Sequence, residues 1–106
     1  MTVKDFEKLT KLRFDHCMKV LNSKNKEYSR GEDKLHNFKV AGRMGNVTPE
    51  FALIGMFMKH LVSIFDIVND LRDEKLPTKE LIDEKFTDVV NYMVLLEGLI
   101  MERMDS

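Results

Sequence analysis

Residues 48–73 read TPEFALIGMFMKHLVSIFDIVNDLRD, and this stretch contains the clearest structural pattern in the chain. Thr48 is a typical N-cap, Pro49 suits the first helical position, and Glu50 favours the positive end of the helix dipole. Behind this start, apolar side chains recur at steps of three and four and cover roughly half of a helix circumference. The stretch therefore predicts one long helix that begins at Pro49 and ends at about Asp73.

A second long helix follows the break at Leu76 and Pro77, with Thr78 as its cap and an end at about Arg103. Its apolar residues cover one broad side and continue round the helix: Leu81, Ile82, Phe86, Val89, Val90, Met93, Val94, Leu95, Leu96, Leu99, Ile100 and Met101. A helix that is apolar on most sides must be covered on most sides. We therefore expect a homo-oligomer, a dimer or tetramer, most simply a dimer whose four-helix-type core contains these two helices from each chain.

A third long helix is predicted before these two, from about Val3 to about Glu27. The prediction follows from Phe6, Leu9, Leu12 and later apolar residues, which mark one helical face. The connection from there to Val47 contains two glycines and can hold a short helical turn around residues 35–42. Connections of this length in small domains are often functional. The predicted fold is all-α, a single domain over residues 1–106 with three long helices and a long loop between the first two.

Composition excludes several classes of protein. The chain has 17 Lys and Arg against 18 Asp and Glu, a net charge of -1, which argues against a general nucleic-acid binder. Cys17 is the single cysteine, so no intrachain disulfide can form, and a free thiol suits the reducing cytosol. The first 14 residues lack the apolar core of a signal peptide. The uninterrupted apolar runs are far shorter than the roughly 18 residues of a membrane span. We expect a cytoplasmic protein that does not contact a membrane.

Asp88 lies in an apolar stripe of the last helix, seven residues from both Leu81 and Leu95. A carboxylate in such a place is costly unless it is paired or binds a cation. Glu84 and Asn91 share the same stripe. Two interpretations follow: an Asp that a Lys or a helix N-terminus satisfies, or an oxygen-rich site for Mg²⁺ or Mn²⁺.

Polar residues also interrupt the stripes of the other helices. On the first helix, His16 and Glu27 fall among apolar residues, and the ordinary interpretation of such a histidine is a hydrogen-bonded core residue. Lys59 and Asp66 belong to a polar stripe of the second helix, which is ordinarily a solvated face. Asp66 would join a cation site only if this stripe faces Asp88 across the bundle.

Known nucleotide and hydrolase motifs narrow the chemistry further. The chain contains no GxxxxGK[ST], HExxH, GxSxG or CxxC pattern, so a P-loop enzyme is excluded and those hydrolase and redox chemistries have no support. Magnesium in proteins usually bridges to phosphate oxygens, whose charge lysines neutralise. The lysines placed for this role are Lys24, Lys39, Lys59 and Lys85.

At these residues the chain resembles the all-α NTP pyrophosphatase superfamily, the MazG-like and dimeric-dUTPase-like proteins, in its small phage or prophage type. The resembling stretches are KNKEY at residues 24–28, HNFK at 36–39, Lys59-His60 with Asp66, and EKFTDVVNY at 84–92. The resemblance implies a helical oligomer that binds magnesium through Glu and Asp. It also implies cleavage of a nucleoside triphosphate between the α and β phosphates, giving monophosphate and pyrophosphate.

The resemblance also implies roles for individual residues. Glu84 and Asp88 correspond to the acidic pair of the second motif, although they are four residues apart where the family's ExxD pattern spaces them by three. The first motif, EExxE, is not present as such, and Glu27 and Asp66 stand in for it. The predicted catalytic residues are Glu84, Asp88 and Lys59. The predicted metal ligands are Glu27, Asp66, Glu84 and Asp88. The predicted substrate-binding residues are Lys24, Tyr28, Asn37, Phe38, Lys39, Lys85 and Asn91.

Three functions are compatible with these patterns. The leading hypothesis is a magnesium-dependent pyrophosphohydrolase that acts on a nucleoside triphosphate or a modified nucleotide. Because the EExxE motif is missing, the first alternative is a non-catalytic protein that binds or sequesters a nucleotide. The second is a phage protein that binds a host factor in the host cytoplasm, which eight methionines and broad apolar faces permit.

Overall fold

The computed structural model describes residues 1–23 and 31–106, and the long elements in this part of the chain are α-helices. They are α1 (Val3–Ser23), α2 (His36–Gly45), α3 (Pro49–Arg72) and α4 (Lys79–Met104). The prediction of an all-α fold is confirmed. Residues 24–27, where the first helix was predicted to continue, lie outside the described residues.

Local start signals position α3 and α4 as predicted. The Thr48 hydroxyl accepts a hydrogen bond from the backbone N–H of Phe51 at 3.2 Å, with Pro49 in the first turn. The Thr78 hydroxyl accepts from the N–H of Leu81 at 3.1 Å. Each bond satisfies a donor that has no partner inside its helix. Both helices end within one residue of the predicted position.

Residues 31–47 of the connection between α1 and α3 contain the ten-residue helix α2, where a short helical turn around residues 35–42 was predicted. A carboxylate oxygen of Asp33 accepts from the N–H of Leu35 at 3.0 Å just before α2 begins. The helix ends at Asn46, which adopts the left-handed conformation with φ 56°, and the N–H of Val47 then donates to the carbonyl of Gly42 at 2.9 Å. The next turn of chain therefore folds back closely on α2 before α3 starts.

The core lies where α2 and α3 meet α4. Its buried hydrophobic members are Leu35, Phe38, Leu53, Phe57, Tyr92, Leu95 and Leu99. α4 is the central element, since α1 and α3 both pack against it while α2 packs on α3. The molecule measures 44 × 29 × 24 Å and its radius of gyration is 16.0 Å. A compact chain of this length has a radius of gyration of about 13 Å, so this chain is elongated.

Within the described residues, α3 is long and apolar enough to cross a membrane, judged by length and composition alone. A core helix of a soluble protein can meet the same test. Lys59 and Asp66 lie near the middle of α3, where a charged side chain facing lipid would be costly. The predicted cytoplasmic location stays a prediction.

Candidate functional site: an acidic groove beside a His–Asp pair

Asp88 faces an imidazole in the structure. Its Oδ2 atom lies 3.6 Å from Nδ1 of His60. The Asp88 side chain is 18% exposed and the His60 side chain is 19% exposed, so both are largely shielded from solvent. The His60 ring lies against the ring of Tyr92, with 4.6 Å between the centroids. Asp88 and Tyr92 are four residues apart and share a face of α4, so one side chain of α3 contacts both.

The predicted α3 residues lie elsewhere on that helix. Lys59 and Asp66 are exposed. Successive residues point about 100° apart on a helix, so Lys59 points well away from the direction in which its neighbour His60 reaches α4.

The contact between His60 and Asp88 affects the imidazole, because a carboxylate beside Nδ1 favours a proton on that nitrogen and orients the ring. The contact therefore gives Asp88 a partner that becomes cationic when it is protonated.

Aromatic packing holds this pair in place. The Tyr92 ring meets Phe38 edge-on, with centroids 6.1 Å apart, and Phe57 at 6.0 Å. Phe38 was predicted to contact a substrate, but it is only 1% exposed and belongs to the core. Asn91, also predicted to bind substrate, is buried on α4. Phe38 and Asn91 therefore lie in the protein interior beside the His60–Asp88 pair and are not accessible to a substrate in this conformation.

Glu84 and Asp88, the predicted acidic pair, line one groove of about 380 Å³ between α1 and α4. One helical turn separates them along α4, and both extend toward α1. We call this the acidic groove, and its lining is His16, Val20, Glu80, Asp83, Glu84, Thr87 and Asp88. His16, expected to be a core residue, lies half-buried in its wall.

Arg13 of α1 fixes one side of the acidic groove. Its Nη2 donates to Asp83 Oδ1 at 2.6 Å, and its Nη1 donates to the Thr87 hydroxyl at 2.9 Å. The hydrogen bond from Arg13 holds the pKa of the Asp83 carboxyl below its usual range. Arg13 thus offsets the Asp83 charge, while Glu84 and Asp88 lie further along the groove. Within residues 1–23 and 31–106, no three or more Asp, Glu, His or Cys side chains are already gathered as a metal cage.

A second, shallow groove of about 520 Å³ lies open to solvent along α1 and shares His16 with the first. We call it the lysine groove, and its lining is Lys8, Lys11, Leu12, Asp15, His16 and Lys19. Lys11 pairs with Asp15 at 2.7 Å, and this contact raises the pKa of Lys11. Lys8, Lys11 and Lys19 were not among the predicted site residues, although their spacings of three and eight residues place them on one side of α1.

The remaining predicted residues are dispersed. Lys39 bridges Asp33 and Glu102, both of which raise its pKa, with the Glu102 hydrogen bond the larger cause. Lys85 lies 3.5 Å from Glu84, at the edge of the acidic groove, and Asn37 is exposed on α2. Lys24, Glu27 and Tyr28 lie outside the described residues. The structure therefore brings Glu84, Asp88 and Lys85 together and places Lys39, Lys59 and Asp66 apart from them.

Comparison of the chain with protein-family models, with curated proteins and with solved structures found no match. The resemblance to the all-α NTP pyrophosphatase superfamily stays a prediction, and the functional argument depends on the geometry of the two grooves.

Proposed function

We propose that this protein is a magnesium-dependent pyrophosphohydrolase that converts a nucleoside triphosphate, or a modified nucleotide, into a monophosphate and pyrophosphate. The observation that carries the proposal is the shared position of Glu84 and Asp88 in the acidic groove, next to a groove lined by lysines. Carboxylates bind a hard cation, and ammonium groups bind phosphate oxygens. Adjacent grooves of these two kinds suit a metal–polyphosphate complex.

Two carboxylates are enough for the proposed cation. Magnesium keeps several waters and is commonly held by one or two carboxylates together with substrate phosphates, without an all-protein cage. Glu84 and Asp88 fit this donor set, and Mn²⁺ is compatible with the same oxygen ligands. Bound there, the ion would polarise a phosphate and lower the pKa of a water molecule. The proposal therefore does not require Asp66, which is exposed on α3.

The chain's own residues position the substrate and balance its charge. Lys8, Lys11 and Lys19 line the neighbouring groove and would bind the phosphate chain. The sequence pattern predicted this role for Lys24, Lys39, Lys59 and Lys85. Lys85, beside Glu84, is placed to offset charge that develops at the reacting phosphate. His60 orients the Asp88 carboxylate, with which it is in contact.

The test is turnover of a panel of nucleoside triphosphates with Mg²⁺, with products separated by chromatography. Asp88→Asn keeps the side-chain shape and removes the charge, so we expect a loss of kcat/KM of about 100-fold or more. Asp66→Asn is the matched control, because it makes the same change at an exposed position of α3 and should leave turnover unchanged. Circular dichroism checks that both variants fold. No turnover by the wild type would contradict the enzymatic function, and full activity of Asp88→Asn would contradict the assignment of the metal ligands to the acidic groove.

The missing EExxE motif favours a second candidate, a non-catalytic nucleotide binder. Such a protein would hold the phosphates through the lysine groove and release no product. Titration calorimetry distinguishes the two functions: binding of a triphosphate without pyrophosphate release selects the binder. Lys11→Ala should weaken binding in either case, whereas Asp88→Asn should abolish turnover only in an enzyme.

A further inference from the structure

The side of α4 opposite the core is apolar along most of its length. Two hydrophobic grooves, of about 540 and 370 Å³, run along it and share Phe14 of α1. We call this continuous region the α1–α4 apolar surface, and its principal members are Phe6, Phe14, Phe86, Met93, Val94 and Ile100. These six side chains are all at least two-fifths exposed. Contiguous apolar patches of this kind mark interaction sites.

The exposed area of the chain indicates how large the missing contact is. The molecule exposes 7972 Å², whereas a compact monomer of its mass exposes about 6,100 Å². The excess is about 1,800 Å² per chain. Permanent homodimers bury about 1,000–2,500 Å² on each copy, so the excess is as large as one such interface.

We propose that a second copy of this chain covers the α1–α4 apolar surface, with the two α4 helices antiparallel across a two-fold axis near Met93. Phe86, Met93 and Ile100 are seven residues apart, so they form one seam that an α-helical partner can follow. A two-fold axis at the middle member packs Phe86 of each copy against Ile100 of the other. The surface is then complementary to itself, as a symmetric dimer requires.

One charged residue selects the antiparallel orientation. Glu97 lines the same apolar groove, close to Met93 and Ile100. A parallel pair of α4 helices would place the two Glu97 carboxylates side by side in a desolvated seam, where like charges repel strongly. The antiparallel pair separates them by about 12 Å along the helix axis, at 1.5 Å per residue.

The proposed interface leaves the acidic groove open and differs from the dimer expected from sequence. Asp88 and Met93 are five residues apart on α4 and so point about 140° apart around the helix. The sequence predicted a dimer core built from α3 and α4 of two chains. The proposed interface is instead formed by α1 and α4 of each chain, with the two α4 helices in contact across the axis. The inference does not depend on the proposed enzymatic function, and its tests need no nucleotide.

Sedimentation equilibrium of the full chain tests the interface. We expect a wild-type mass of twice 12.4 kDa at micromolar concentration. Met93→Asp should raise the dimer Kd by 100-fold or more, because it places a charge in the seam. Met44→Asp is the control, since Met44 is exposed on α2, outside the α1–α4 apolar surface. Met58→Asp tests the competing apolar stripe of α3, where Phe51, Met58 and Phe65 are also exposed and seven residues apart. A monomeric wild type would overturn the proposal, and dissociation by Met58→Asp alone would move the interface to α3.

Oxidative crosslinking tests the orientation of the two α4 helices. In a Cys17→Ala background, Met93→Cys should form an intermolecular disulfide, because the symmetry axis brings the two copies of position 93 together. Glu97→Cys should not crosslink, since a disulfide needs α-carbons within about 7 Å. Efficient crosslinking through position 97 but not position 93 would refute the antiparallel arrangement.

Discussion

Replacing Gly42 with alanine should destabilise this protein, even though alanine is the better helix former. Gly42 is buried in α2, where the chain at residues 47–49 folds back against it. A Cβ atom at this position would lie 2.9 Å from the Val47 carbonyl oxygen, 3.0 Å from the Pro49 nitrogen and 3.1 Å from the Thr48 carbonyl carbon. All three are backbone atoms, so no side-chain rotation can relieve the contact.

The magnitude follows from two opposing terms. Helix propensity favours alanine over glycine by about 1 kcal/mol. Overpacking a filled site costs about 1–3 kcal/mol, and this site belongs near the upper end because the Val47 N–H is hydrogen-bonded to the Gly42 carbonyl and holds the turn in place. We expect Gly42→Ala to lower the free energy of unfolding by about 1–2 kcal/mol.

Gly55→Ala is the matched control. Gly55 lies in the interior of α3. A Cβ atom built there has no atom within 4 Å other than those of its two chain neighbours and of the adjacent turns of its own helix backbone. Only the propensity term remains, so this variant should gain about 1 kcal/mol. Urea denaturation followed by circular dichroism measures both, at one fixed protein concentration because the stability of a dimer depends on concentration. If Gly42→Ala is stabilised as much as Gly55→Ala, the close approach of α2 to the turn is refuted.

Two further predictions concern an ion pair and the core. Arg103 holds the pKa of Glu50 down at about 2, mainly through a hydrogen bond, so the contribution of Glu50 is present above pH 4.5 and is lost as the pH falls toward 2. Glu50→Gln should therefore cost about 1 kcal/mol at neutral pH, and urea melts of the two proteins should converge near pH 2; a gap that does not change with pH would contradict this. Leu53→Ala should cost about 2–5 kcal/mol, because Leu53 is 0% exposed at the centre of the core. Leu71→Ala, at an exposed position of α3, should cost under about 1 kcal/mol in the same denaturation assay, and equal losses would place the core elsewhere.

Packing between the helices explains which residues of the candidate site could be predicted from the sequence and which could not. Asp88 was predicted because an acidic residue in an apolar stripe is visible in the periodicity of a single helix. His60 was not identified as its partner, since that contact depends on how α3 and α4 are rotated against each other. Lys59 and Asp66 were chosen from the polar stripe, which the same rotation turns toward solvent.

The ends of α3 and α4, and the broad apolar surface of both helices, can be predicted from the amino-acid sequence alone. Those features depend on interactions within a turn, such as the Thr48 and Thr78 caps, and on the period of a single helix. The packing of the chain was needed to show that the connection contains α2, that Phe38 enters the core, and that Glu84 and Asp88 share a groove with α1. The physical reason is that these features come from contacts between residues far apart in the chain, whose free energy no local pattern encodes.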